Sequence, residues 1–420
     1  MPTSPGVPGA DHGPAVCCGA VPVAITCRVS AAPCLAAEAV PAAETVPTAD
    51  ACPGILDLHQ ARDGLVARIR LPGGYASAAR LRALAALADR FGDGCADLTA
   101  RGNVQLRGIG ADSTDALAQR ACATGLMPSP AHDRARNIAA SPLAGLAGHA
   151  DLRGLVRALD RAILADPVLA ALPGRFLFAV DDGTGRAGIG RCDVGLRLEP
   201  GGAELIVAGR RTARRGPAAK MIGPAIAAAR AFLDQRGSAA DRTRMSRLTD
   251  GGAAVAAAAG GALGEPAADT ETRLTLGPLT GEAAAVVAGA PLGRLTARQL
   301  RLVAGLVRPR DVVRLSAAGR IVLPLPGDAA GTTPGPAGDA RDRLAAAGLL
   351  TGDDHPLANV TACAGMTCAR SLADVRAVAA PVPGLDAVHW AGCDRRCGLP
   401  ADATAMVATS AGQYEVGRPA

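Results

Sequence analysis

The sequence predicts an α+β protein built around two similar halves related by a pseudo-twofold axis. Three observations carry that prediction. A strand–turn–helix–strand pattern occupies 65–109, a second copy occupies 286–323, and a run of strands and turns lies between them.

Taken in order, 65–71 alternates as a strand, with Leu65, Ala67, Ile69 and Leu71 on one face, and Pro72-Gly73-Gly74 turns the chain. Leu81, Leu84 and Leu87 recur at helical spacing within 76–91. Alternation returns over 96–109, where Leu98, Val104 and Leu106 face inward. The second copy matches segment by segment: 286–293 resembles the 68–74 region, 300–306 matches 81–87, and 315–323 matches 98–106. Between the copies, 176–207 reads as strands joined by turns at Asp181-Asp182-Gly183 and Pro200-Gly201-Gly202, and 218–235 as a helix. The Gly/Ala-rich stretch 251–268 reads as a linker, and 327–338 as a loop.

Composition narrows the function. The chain has 420 residues, 49% apolar and 20% charged, which fits a globular protein of two or three domains. Its only lysine is Lys220, and the Ala/Arg/Gly/Pro excess reads as a compositional bias rather than as function. A net charge of +6 and an aromatic content of 2% disfavour a nucleic-acid surface that needs stacking platforms. No segment reads as a membrane span, and no basic region precedes an apolar block at the N-terminus, so a cytoplasmic location is expected. In that setting the twelve cysteines read as thiols or metal ligands rather than disulfides.

The repeat also separates packing from function. Shared apolar positions need only a core to explain them, but Arg101 aligns with Ala318, so the fold itself does not demand a guanidinium there. The strongest local signal lies near the C-terminus, where Cys363-x4-Cys368 is followed by Cys393-x3-Cys397. Four soft thiolates in that spacing select an iron–sulfur cluster ahead of zinc or unliganded thiols. His59, His355 and His389 read as surface or core histidines, Cys95, Cys122 and Cys192 as small buried residues, and Asp181-Asp182 as turn formers that could also offer a metal a carboxylate. The basic run 210–220 reads as a solvated face.

Several segments in fixed order resemble the siroheme nitrite/sulfite reductase superfamily, and within it the cobalamin-pathway branch, the precorrin-3B synthases. They are Cys52-Pro53-Gly54, Arg68-Ile69-Arg70-Leu71-Pro72-Gly73-Gly74, the 98–108 segment, Arg136-Asn137-Ile138, Leu172-Pro173-Gly174-Arg175-Phe176, Phe178-Ala179-Val180-Asp181-Asp182-Gly183, Thr361-Ala362-Cys363 and Gly392-Cys393-Asp394-Arg395-Arg396-Cys397-Gly398. The resemblance spans about seven-eighths of the chain. It implies a nitrite/sulfite reductase-like fold, with 51–125 and 276–350 as ferredoxin-like halves and 126–250 as a tetrapyrrole and cluster domain. The remaining divisions are a linker at 251–275, a cluster-binding segment at 351–420 and a low-complexity extension at 1–50.

What the resemblance implies about chemistry is equally specific. Cys363, Cys368, Cys393 and Cys397 would ligate a [4Fe–4S] cluster, while Arg101, Arg136 and Arg175 would face the tetrapyrrole, with Arg107 in the same motif. The family spaces its first cysteine pair one residue wider than here. The reductases carry lysine two residues after the Arg175 position, where this chain has Leu177. Losing that charge favours the synthase: a monooxygenase that uses O₂ to hydroxylate precorrin-3A and close a γ-lactone. Its partners would be a non-haem iron and an external electron donor, either an NAD(P)H-linked reductase or a ferredoxin. A siroheme-dependent sulfite or nitrite reductase is the alternative enzyme, and a zinc- or cluster-binding scaffold the non-catalytic one.

Overall fold

A computed structural model describes residues 52–270, 273–279, 285–325 and 336–417. The extension at 1–50, with Cys17, Cys18, Cys27 and Cys34, and most of the loop expected at 327–338 lie outside the described residues.

The two repeats build two five-stranded sheets of identical order, and each completes the other. In the first sheet, His59–Ala61, Gly64–Ile69, Val104–Ile109 and Cys95–Leu98 are joined by Arg294–Thr296 from the second repeat. In the second sheet, Gly277–Leu279, Ala285–Gly289, Arg320–Pro324 and Val312–Leu315 are joined by Tyr75–Ser77 from the first. The exchanged strands pair antiparallel, Leu295 opposite Ala96 and Ala76 opposite Val313. Each leads straight into a helix: Ser77 caps Ala78–Phe91 by accepting the Arg80 N–H, and Thr296 caps Ala297–Leu306 in a reciprocal box with Gln299. The two helices bury Leu81, Leu84, Leu300 and Val303 in a single core that both sheets share.

One expectation needs correcting. The stretch 96–109 is two strands rather than one, because Thr99 Oγ1 accepts the N–H groups of Arg101 and Asn103 and Gly102 takes φ +70° to reverse the chain. The matching turn of the second half places Ala318 at φ +55° and Gly319 at +70°. Backbones pack tightly at this junction. A Cβ on Gly74 would sit 2.1 Å from the Leu315 carbonyl oxygen, and one on Gly102 2.6 Å from the same atom.

A third sheet lies between the repeats in sequence, ordered Arg210–Gly216, Gly202–Val207, Val194–Glu199, Phe178–Asp181 and Ile138–Ala140, the last three parallel. Helices Arg153–Leu164 and Ile222–Arg236 cover one face, packing around Phe176, Phe178 and Phe232. The second of these begins four residues later than expected, after a 3-10 turn over Ala218–Met221. The Gly/Ala-rich stretch expected to be a linker also holds a helix, Ala253–Ala258, with Val255 and Ala256 buried in this core. The fourth sheet, Val360–Ala362, Val388–Ala391, Thr404–Ser410 and Gln413–Gly417, carries the late cysteines. Among the described residues no helix is long and apolar enough to cross a membrane.

Candidate functional site

Two parallel strands deliver the cysteines. Val360–Ala362 and Val388–Ala391 run side by side, so Cys363 and Cys393 emerge from the same end of the sheet. The Cys363 N–H donates to the Trp390 carbonyl at 2.9 Å, and the Gly392 N–H reaches the Cys363 Sγ at 3.2 Å. Between Cys363 and Cys368 the chain makes a 3-10 turn, Gly365–Thr367, which Gly365 enters at φ +62°. Burial first, and then Cys393 and Cys363, push the Cys397 thiol up against the opposing pull of Arg395. Among the described residues no group of three or more His, Cys, Asp or Glu side chains is placed to hold a metal ion. Four soft thiolates are the donor set that an iron–sulfur cluster takes.

The first half braces this loop. Arg107 makes a bidentate pair with Asp63 at 3.0 and 3.1 Å and also donates to the Thr367 carbonyl at 3.0 Å. The Arg62 N–H reaches that same carbonyl, and its guanidinium reaches the Ala369 carbonyl. From the other side, Arg376 donates to the Cys363 carbonyl at 2.9 Å and to Asp97 at 3.3 Å.

A cleft of about 280 Å³ opens where the halves, the third sheet and the cysteine segment meet. Gly73, Gly74 and Gly102 come from the first half, 315–318 from the second, Ala139, Ala140 and Leu177 from the third sheet's strands and edge, and 399–402 from just beyond Cys397. Six arginines line it: Arg101, Arg186, Arg191, Arg244, Arg273 and Arg320. Arg191 pairs with Asp269 at 3.2 Å, Arg244 with Asp193 at 2.6 Å and Arg273 with Asp402 at 3.0 Å. Arg101 instead donates to the Arg175 carbonyl at 3.2 Å, and Arg320 to the Leu274 and Ala358 carbonyls at 3.0 and 2.8 Å. Burial, reinforced by Arg244, pulls Arg101 down to about 10, and burial with Arg273 does the same to Arg320. Both stay cationic at neutral pH, so the cleft presents an excess of positive charge that an anionic ligand would relieve.

Of the residues singled out in the sequence, Arg101 lines the cleft. Arg107 faces the cysteine loop, and Arg136 is turned away into a bidentate pair with Asp160 at 2.8 and 2.9 Å. Arg175 brings its backbone carbonyl to Arg101. Arg186, Arg191, Arg244, Arg273 and Arg320 escaped sequence reading: four fall outside the repeat, and Arg320 aligns with Asn103, polar in both copies. Their signal is hidden in so arginine-rich a chain. In the basic run, Arg211 and Arg215 pair with Glu199 and Glu204.

Among the described residues, the histidines and carboxylates named as candidates for a non-haem iron do not come together. His59 and His355 are exposed, and buried His389 bonds Thr361 at 2.9 Å while burial pushes it down to about 4. The Asp181 and Asp182 carboxylates are occupied by the turn that follows them.

Residues 59–123 match the family described as the nitrite/sulfite reductase ferredoxin-like half domain. A precorrin-3B synthase from a Sinorhizobium species is 35% identical over 157 residues, covering 36% of this chain and 32% of that protein. A ferredoxin–nitrite reductase of Leptolyngbya laminosa is 36% identical over 121 residues, covering 27% of this chain and 24% of that one. The matches thus span about a third or less of these relatives' length. The solved structure of the Mycobacterium tuberculosis NirA protein superposes with a TM-score of 0.65 at 21% identity, over 84% of this chain and 73% of that one. The fold is nitrite/sulfite reductase-like, and the chain is similar to precorrin-3B synthase as well as to nitrite reductases.

Proposed function

We propose that this chain is an oxidoreductase of the precorrin-3B synthase type. It binds a polycarboxylated tetrapyrrole in the arginine-lined cleft, beside a [4Fe–4S] cluster on Cys363, Cys368, Cys393 and Cys397. The observation that carries this reading is the short run 397–402, which starts at the fourth cysteine and ends in the cleft wall, where Asp402 pairs with Arg273. When bound, the cluster supplies single electrons taken from an external donor protein.

The chain's own residues hold and orient. Guanidinium groups suit the acetate and propionate fringe of the macrocycle through planar two-point hydrogen bonds, and Arg101 and Arg244 line the cleft as neighbouring cations. The overall reaction inserts one atom of O₂ into precorrin-3A as a hydroxyl. The other atom leaves as water, with two electrons and two protons, and a ring acetate closes the γ-lactone.

Sulfite or nitrite reduction on siroheme is the second reading, favoured by the nitrite reductase matches. Reduction of a small oxyanion calls for protons and a dense cationic cage at the metal face, and apolar Leu177 stands where the reductases place lysine.

Anaerobically reconstituted protein incubated with precorrin-3A, a reduced ferredoxin as electron donor and ¹⁸O₂ should give a product heavier by one labelled oxygen atom. Replacing Cys397 with Ser should abolish that product and disturb the cluster's absorption. Sulfite or nitrite turnover, with a siroheme spectrum and no oxygen uptake, would overturn the assignment.

A further inference from the structure

We propose that Asp181 is a positioning residue for ligand binding, acting by wrapping the loop 183–191 around its carboxylate so that Arg186 is fixed in the cleft wall. This rests on the reading of the cleft as a site for a polycarboxylated macrocycle and adds a residue that does not itself touch the ligand.

Asp181 ends the parallel strand Phe178–Asp181 and is fully buried. Its Oδ1 accepts the N–H groups of Gly183 and Gly185, both at 2.9 Å, and its Oδ2 accepts the Ala187 N–H at 3.0 Å and the Ser141 hydroxyl at 3.1 Å. A carboxylate has no donor, and three converging amides satisfy it without any cation, while the Ser141 hydroxyl is shared with Asp182 at 2.7 Å. Gly183, Gly185 and Gly188 take φ of +95°, +80° and +70°, which lets the chain curl tightly around one side chain.

Arg186 sits between Gly185 and Ala187, two of the three residues whose N–H groups Asp181 holds, and 185–188 line the cleft. Its backbone therefore cannot rotate without breaking a buried bond to a charged acceptor. The outer side of the loop is pinned independently. The Gly190 N–H donates to Asp269 at 2.6 Å, and the Thr270 N–H to the Gly185 carbonyl at 3.2 Å. A Cβ on Gly185 would meet the Thr270 nitrogen at 2.6 Å, so this closure also depends on glycine.

The test uses the full chain and uroporphyrin, a porphyrin fringed with acetates and propionates, as the fluorescent probe. Wild type should bind it, and Asp181→Asn should weaken binding about tenfold, since asparagine keeps the shape but turns one acceptor into a donor facing an N–H. Arg186→Ala should weaken binding similarly, and the double variant should be no weaker than Arg186→Ala alone. Gly185→Ala, which displaces the loop but leaves the carboxylate intact, should reproduce the loss and keeps the test available if Asp181→Asn does not fold. Unchanged binding in Asp181→Asn and Gly185→Ala, or additive losses in the double variant, would overturn the positioning role while sparing the cleft. Failure of wild type to bind would overturn both.

Discussion

Arg101 stands where the other half of the molecule carries Ala318, and the turn closes in both cases. Its guanidinium reaches a single backbone carbonyl rather than a carboxylate, so removing it strips charge from the cleft without leaving a buried anion behind. Arg101→Ala should therefore weaken tetrapyrrole binding by about tenfold or more while shifting the unfolding midpoint little, read by titration and thermal melts side by side. Asp182 behaves differently. Burial alone would raise its pKa, but hydrogen bonds from Thr184 and Ser141 outweigh that and hold it below the usual carboxylate range, with His149 paired at 2.9 Å. A depressed value in the folded state adds stability above the unfolded pKa of about 3.9, and that stability is lost as pH falls through the lower folded value. Asp182→Asn should cost about 1.5–3 kcal/mol at pH 7, and the gap to wild type should narrow when both are melted near pH 3. Arg101 was legible because the repeat supplies an internal control; Arg244, which shares its wall, has no counterpart to be compared with and no distinctive neighbours in the chain.

At the scale of elements, the junction between the halves leaves no room for side chains. Gly74 combines φ +69° with a backbone oxygen 2.1 Å from where a Cβ would go, so Gly74→Ala should destabilise by about 2 kcal/mol or more, measurable by denaturant unfolding. The cysteine loop depends on different elements, the turn between the first two strands that carries Asp63 and the strand Val104–Ile109 that carries Arg107. Arg107→Ala leaves Asp63 unpaired and frees the Thr367 carbonyl, so iron and labile sulfide per chain after reconstitution should fall although no cysteine has changed. Periodicity revealed the repeated strands and helices, since Leu81, Leu84 and Leu300 recur at spacings that only a buried face explains. It could not reveal that 96–109 breaks at Gly102, because alternation resumes in phase on both sides of the turn. Nor could it show that Tyr75–Ser77 and Arg294–Thr296 are strands, since three residues carry no period. The helix within 251–268 was masked by glycine and alanine, which pack well beneath Met245 yet look like a linker in isolation.

Over the whole molecule, the exchanged strands and single helical core join the two halves into one folding unit. A fragment ending near residue 127 would lack the strand Arg294–Thr296 and half of the shared core. Expressed alone, it should give no cooperative melt by circular dichroism, whereas the full chain should lose both ferredoxin-like halves in one transition. The pseudo-twofold arrangement was foreseeable from sequence, but the meeting of four regions at the cleft was not. Residues as distant as Gly74, Arg186, Leu315 and Asp402 converge only through pairings between separated strands, which no local pattern encodes. A polypeptide holding a single copy of this repeat could satisfy both lone edges by trading its short strand with an identical molecule. Such a pair would be an isologous homodimer whose ligand pocket straddles the rotation axis, so fusing the copies is what frees the two sides of that pocket to diverge, an arginine on one and an alanine on the other.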